Sequence, residues 1–200
     1  MHTVNRLIDY FIPDHYELSL ELDRLGRAFT GTVSINGAMT EQADGIKLHA
    51  KDLTVITALI DGQSANWTMG DNDELTVTRE GLTAGEHTIV LSFSGKITDA
   101  MHGLYPCYYE HAGVKKELLA TQFESHHARE VFPCVDEPAA KATFDVTLTT
   151  EDGITVLGNM PIKYQDSEGR QMVTKFETSP RMSTYLLAFV AGELNKKTAT

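Results

Sequence analysis

Several things are scarce in this sequence, and each scarcity removes a class of protein. Two cysteines, Cys107 and Cys134, are too few for a disulfide framework. They lack the C-x-x-C spacing of a zinc knuckle, so two reduced thiols are expected. No run is long and apolar enough to cross a membrane. The first ten residues carry His2, Arg6 and Asp9 where a secretory signal would be apolar, and a cytoplasmic protein is expected. Basic residues are the rarer charge: 17 Lys and Arg stand against 28 Asp and Glu, a formal charge of −11. Such a surface repels phosphate backbones, which argues against nucleic acid as a partner. There is one tryptophan, Trp67, in a polar stretch, so the aromatic face of a carbohydrate-binding module is not in evidence.

Catalytic motifs are missing too. None of the eight histidines opens an H-E-x-x-H, the helical spacing that puts two imidazoles and a general-base Glu around one zinc. There is no G-x-S-x-G elbow, no G-x-x-x-x-G-K-[ST] loop and no G-x-G-x-x-G. The adjacent His126 and His127, placed on a helix, would point about 100° apart and face solvent rather than share an ion. Close acid pairs (Glu21 and Asp23, Asp71 and Asp73, Asp136 and Glu137) read as exposed polar faces in so acidic a chain.

What is present is a period of two. Tyr16, Leu18, Leu20 and Leu22 alternate with Glu17, Ser19, Glu21 and Asp23, the pattern of a half-buried strand. Similar runs are Phe29 to Ile35, Ile46 to Leu48, Leu53 to Ile60, Leu75 to Val77, Ile89 to Phe93, Phe144 to Leu148 and Ile154 to Leu157. Turn signals separate them: Asn36-Gly37, Asp61-Gly62, Gly70-Asp71-Asn72, Ala84-Gly85, Glu151-Asp152-Gly153 and Gly158-Asn159-Met160-Pro161, with a hairpin around Asp166 to Gly169. Many short strands between turns predict an all-β sandwich or barrel forming one domain over 1–200. One short helix is expected over Ser125 to Phe132, capped by Ser125 and ended by Pro133. A last strand over Ser183 to Val190 is apolar on both faces, which predicts cover on both sides and an apolar patch around Tyr185, Leu187 and Phe189.

The stretch Thr121-Gln122-Phe123-Glu124-Ser125-His126-His127-Ala128-Arg129-Glu130-Val131-Phe132-Pro133-Cys134-Val135-Asp136-Glu137-Pro138, continuing to Lys141-Ala142-Thr143-Phe144, closely resembles T-Q-F-E-x-x-x-A-R-x-x-F-P-C-x-D-E-P-x-x-K-A-x-F of the aminopeptidase N family. Ile12 to Leu18, Gly103-Leu104-Tyr105 with Leu118-Leu119-Ala120, Leu157 to Pro161 and Pro180 to Glu193 resemble further segments of that family in the same order. The resemblance covers nearly the whole chain. It implies an all-β, saddle-shaped antiparallel β-sandwich, the N-terminal β domain of a zinc-dependent aminopeptidase, followed in the family by a thermolysin-like catalytic domain. That domain carries G-x-M-E-N and H-E-x-x-H, and this sequence ends ahead of both.

The resemblance further implies two substrate-binding residues. Glu124 matches the Glu that binds the free α-amine of a peptide, and Gln122 matches the Gln lining the first substrate pocket. The physical sense is clear: an exopeptidase must mark the chain end, and the ammonium charge is its universal label. Read without the family, Gln122 and Glu124 are exposed polar residues on one face of a strand, two positions apart. Arg129 is expected to pair with Asp136 or Glu137. The resemblance places zinc in the parent protein and none on this chain, and it makes the isolated chain inactive. The partners it implies are peptide substrates and the downstream catalytic domain, with no nucleic acid and no membrane. Two other readings differ at one position or in kind. A relative with epoxide hydrolase activity carries Gln where Glu124 stands, and zinc-less relatives with this fold act as scaffold or interaction subunits.

Overall fold

The structure is a computed structural model, and it describes residues 6–194. The period-two runs form strands because alternation lets one side of each strand meet the core while the other stays wet. In β1 (Phe11–Asp23) the apolar set from Tyr16 to Leu22 is buried and the acids between them are exposed. It is followed by β2 (Ala28–Met39), β3 (Gly45–His49), β4 (Thr54–Ile60), β5 (Gln63–Ser64), β6 (Asn66–Met69), β7 (Glu74–Thr78) and β8 (Gly85–Lys96). Then come β9 (Gly103–His111), β10 (Val114–Gln122), β11 (Thr143–Glu151), β12 (Thr155–Gly158), β13 (Ile162–Glu168), β14 (Gln171–Phe176) and β15 (Phe189–Gly192).

Three sheets result. The largest has eight strands in the order β13-β14-β11-β1-β2-β8-β4-β5, a second runs β12-β15-β10-β9, and the third β3-β7-β6. Their inner faces share one continuous apolar core, with Leu20 and Phe93 from the first, Leu119 and Phe189 from the second, and Leu48 and Val77 from the third. The chain is thus an all-β sandwich, with one departure from the antiparallel expectation: β1 and β11 pair in parallel, His15 opposite Thr143 through Glu21 opposite Thr149. These strands are far apart in sequence, so no hairpin dictates their direction. Among the described residues, no helix is long and apolar enough to cross a membrane.

Four local expectations need correction. Asn36-Gly37 is not a turn but lies inside β2, laddered to β1 on one side and β8 on the other. Gly37 faces the irregularity at Pro13, where a Cβ would lie 2.6 Å from the Ile12 carbonyl oxygen. The glycine therefore serves a close backbone approach. The helix over Ser125 to Phe132 is a single 3-10 turn, Ala128–Glu130, and the Ser125 hydroxyl bonds the His126 ring instead of capping it. Similar turns occur at Leu7–Asp9 and Thr184–Leu186.

The last of these turns replaces most of the strand expected over Ser183 to Val190. Ser183 Oγ donates to the Pro138 carbonyl at 2.7 Å and Thr184 Oγ1 to Asp136 at 2.6 Å, which curls the chain before β15 begins. Leu187 and Phe189 are consequently buried, Tyr185 is half-buried, and Leu186 points outward. Finally, β5, β6, β9 and β10 had no clear alternating signature, and Trp67 sits in β6.

Candidate functional site

The segment after β10 is held from every side. Phe123, the first residue past the strand, is buried and meets the Phe132 ring edge-on at 6.2 Å between centroids. Phe132 meets Tyr16 in the same way at 6.1 Å, and Tyr16 stacks on Phe144 at 4.9 Å with ring planes 8° apart. Between Phe123 and Phe132 the backbone closes a series of turns: His127 N–H donates to the Phe123 carbonyl at 2.9 Å and Phe132 N–H to the Ala128 carbonyl at 3.1 Å.

Beyond Pro133 the chain docks on β3. Cys134 and His49 exchange backbone hydrogen bonds at 3.0 and 2.7 Å. The Asp136 N–H donates to His49 Nδ1 at 3.1 Å, which assigns the proton of the neutral ring to Nε2. Val135 N–H donates to the buried Tyr16 hydroxyl at 3.2 Å. Arg129 chooses Asp136 rather than Glu137. Its Nε lies 3.2 Å and its backbone N 3.3 Å from Asp136 Oδ2, and its guanidinium also reaches Asp73 at 3.4 Å. Glu137 instead accepts from Leu7 N–H and Arg6 Nε at the start of the chain. Burial and the proximity of Arg129 push the His49 imidazole below its ordinary value, and burial pushes the Cys134 thiol well above its own.

This frame presents Gln122 and Glu124. Gln122 is the last residue of β10, opposite Gly103 of β9. Glu124 lies beyond the strand, in the turn, so the two are not strand neighbours as expected. Burial nevertheless alternates through Gln122, Phe123 and Glu124 as exposed, buried, exposed. Sinking Phe123 into the core turns the flanking polar side chains outward. Among the described residues neither side chain is taken up by a hydrogen bond or ion pair. The neighbouring Thr121 hydroxyl is used differently, accepting from Phe189 N–H at 3.0 Å and so tying β10 to β15.

Sequence reasoning missed a cluster next to this turn. His127 does not face solvent on a helix: it is half-buried, stacks on His126 at 4.8 Å and on His102 at 4.2 Å, and bonds Glu130. The available signal was the three-residue spacing of His127 and Glu130. The partners at 51 and 102 come from other parts of the chain, and only the fold unites them.

Comparison of the chain with known proteins finds a family model and several relatives. Residues 12–186 match the Peptidase M1 N-terminal domain model. The chain is 50% identical to an aminopeptidase N of Lactococcus lactis subsp. lactis over 200 residues, 98% of this chain and 23% of the relative. An aminopeptidase N of Lactobacillus delbrueckii subsp. lactis is 43% identical over 197 residues, and an aminopeptidase M1 of Arabidopsis thaliana 37% over 198. In both, the chain covers 22% of the relative, so it spans less than a quarter of the length of these proteins. The chain belongs to the Peptidase M1 N-terminal domain family.

Proposed function

We propose that this chain is the first domain of a larger zinc aminopeptidase, and that it supplies the anchor for the substrate's free amino terminus. The carrying observation is the state of Glu124: an exposed carboxylate, unpartnered among the described residues, in a turn directly after the buried Phe123. An unpaired carboxylate whose backbone is anchored by Phe123 is available to a ligand cation. Once a second domain closes over it and excludes water, its charge-assisted hydrogen bond to an α-ammonium contributes about 1.5–3 kcal/mol. Gln122, at the adjoining strand end, is proposed to line the pocket of the first residue with its amide. The formal charge of −11 adds a mild attraction for peptide amines.

The family's zinc does not fit this stretch. The sequence has no H-E-x-x-H, and the one metal-compatible cluster among the described residues, His102, His127 and Glu130, has a different spacing. In the parent, the metal of the downstream domain would supply an activated water. This chain binds and orients, and alone it is expected to hydrolyse nothing. Its downstream partner is proposed to cover the apolar surface around Leu157 and Leu186, both about half exposed. Two free thiols fit the cytoplasm, the proposed compartment.

The test is an aminopeptidase assay on the longer polypeptide and on this chain. The longer form should cleave, the 200-residue chain should be inert, and Glu124→Ala in the longer form should lower kcat/KM roughly 10- to 150-fold. Unchanged kinetics in that variant would remove the anchor role. A longer form that neither cleaves peptides nor binds zinc would mark a scaffold subunit instead.

A further inference from the structure

Glu130 is the meeting point of three nitrogen groups from three separate segments. Its Oε2 lies 2.6 Å from His102 Nδ1, and its Oε1 lies 3.1 Å from His127 Nδ1 and 2.9 Å from Lys51 Nζ. The two imidazoles are nearly parallel, with centroids 4.2 Å apart and planes 25° apart. One potential ligand atom from each of His102, His127 and Glu130 lies within 4.8 Å of the other two. All three residues are half-buried. Gly103, at φ +65°, brings the start of β9 against the carboxylate, where a Cβ would lie 2.9 Å from Oε2. His102 and Glu130 also border a groove of about 780 Å³ that runs past Phe29, Leu53 and Lys96, which gives an ion a path from solvent.

From this geometry we propose that His102, His127 and Glu130 form a binding site for a zinc-class divalent cation, distinct from any catalytic zinc of the downstream domain. Two imidazoles and one carboxylate are a standard zinc donor set. Bonds of about 2.0–2.2 Å at tetrahedral angles separate ligand atoms by roughly 3.3 Å. The contact at 3.1 Å needs to open slightly and the one at 2.6 Å by more than half an ångström, while the stacked rings splay apart so that both in-plane lone pairs meet at one ion. The ion takes the place of the two Nδ1 hydrogens. A neutral imidazole moves its proton to Nε2 by exchange with water, and a protonated one releases it. The Lys51 ammonium, which now neutralises the carboxylate, is displaced into the groove. Loading would tie β9 to the turn of residues 124–130, the turn that carries Glu124. The reading does not depend on the aminopeptidase assignment. Nitrogen donors favour zinc, cobalt and nickel over calcium and magnesium.

Titration of the 200-residue chain with Zn²⁺, followed by calorimetry and thermal unfolding, tests the site. One ion should bind per chain and raise the unfolding midpoint, with no competition from excess Mg²⁺. His102→Ala and His127→Ala should each weaken binding at least tenfold, Lys51→Met should strengthen it, and His111→Ala should leave it unchanged. In the unaltered chain, Co²⁺ should broaden the imidazole NMR signals of His102 and His127 before those of other histidines, which decides the matter even if a variant unfolds. Absence of one-to-one binding, or binding that survives both alanine variants with the broadening at other histidines, would overturn the proposal.

Discussion

Asp136 Oδ2 accepts both the backbone N–H and the Nε of Arg129, so the six-residue loop between them is closed on itself by one carboxylate oxygen. The other oxygen, Oδ1, accepts the Thr184 hydroxyl at 2.6 Å. One nearly inaccessible carboxylate, 4% exposed, thereby joins the turn after β10 to the segment before β15. Removing it strips Arg129 Nε and the Thr184 hydroxyl of their acceptor and leaves the guanidinium only the longer contact to Asp73 and a backbone carbonyl. Asp136→Ala should therefore cost about 3–5 kcal/mol in urea unfolding of the chain, as for other broken buried pairs. Asp136→Asn keeps an acceptor and should cost less. Equal losses would show that a neutral acceptor recovers nothing and that the charge carries the whole contribution.

Tyr16 is fully buried, and its hydroxyl accepts the Val135 N–H at 3.2 Å. Tyr16→Phe preserves the stacking on Phe144 and strands that donor, so a loss of about 1–3 kcal/mol is expected. Tyr16→Ala also opens a cavity and should cost at least about 3–5 kcal/mol. Chemical denaturation of the three proteins gives the comparison, and a neutral Tyr16→Phe would refute the role given to the hydroxyl.

Gln122 and Glu124 are exposed and unpartnered among the described residues, so neither stabilises this chain through a contact. Gln122→Ala and Glu124→Ala should each change the unfolding free energy by less than about 0.5 kcal/mol. A large loss would mean that these side chains hold the fold, and the anchoring role would lose its support.

Two histidines should give the stability opposite dependences on pH. His49 is held below its ordinary value of 6.5 by burial and by Arg129. Above that value both folded and unfolded forms are neutral. As pH falls below it, the unfolded chain takes up the proton first and stability is lost. His87 is held above 6.5: burial opposes this, but the Thr83 carbonyl and the Asp61 carboxylate outweigh it. Its contribution is complete below 6.5 and fades as pH rises through the folded value. Unfolding free energies from about pH 5 to 8 for the chain, His49→Asn and His87→Asn check both. The deficit of His49→Asn should grow with pH, and that of His87→Asn should shrink.

At lower pH the carboxyl of Glu130 takes over. Burial disfavours its charge, but the hydrogen bonds from Lys51, His127 and His102 prevail and hold it below the usual 4.5. The stability it contributes is present above that value and disappears as pH falls through the folded one. Glu130→Gln should therefore flatten the acid limb of the unfolding curve, and an unchanged limb would show that the cluster does not carry it.

How much of this was legible without a structure depends on the range over which each feature is encoded. Alternation in Tyr16 to Leu22 and in Phe144 to Leu148 marked β1 and β11 because a strand's two faces are written two residues apart. Nothing local could reveal that these two strands lie side by side in parallel, since their pairing spans more than a hundred positions. Asn36-Gly37 carries the letters of a turn, yet ladders on both flanks hold it in β2. The glycine answers to the Ile12 carbonyl, which lies beyond any local window. Ser183 and Thr184 belong to an apolar run that reads as strand, and contacts with Pro138 and Asp136 bend it into a turn.

The site divides in the same way. The motif around Gln122 and Glu124 was evident from the order of residue types, because it is contiguous. By itself the sequence determined the β class, the acidic surface, the absence of a contiguous catalytic motif and the family resemblance, all properties of composition or short spacing. Only the tertiary structure decided that Arg129 pairs with Asp136 and not Glu137. It alone put Glu124 in a turn beyond the strand end, and it alone brought His102, His127 and Lys51 onto one carboxylate. Those outcomes are set by packing between segments remote in sequence, where burial and charge neutralisation act on distance in space and leave no periodic trace along the chain.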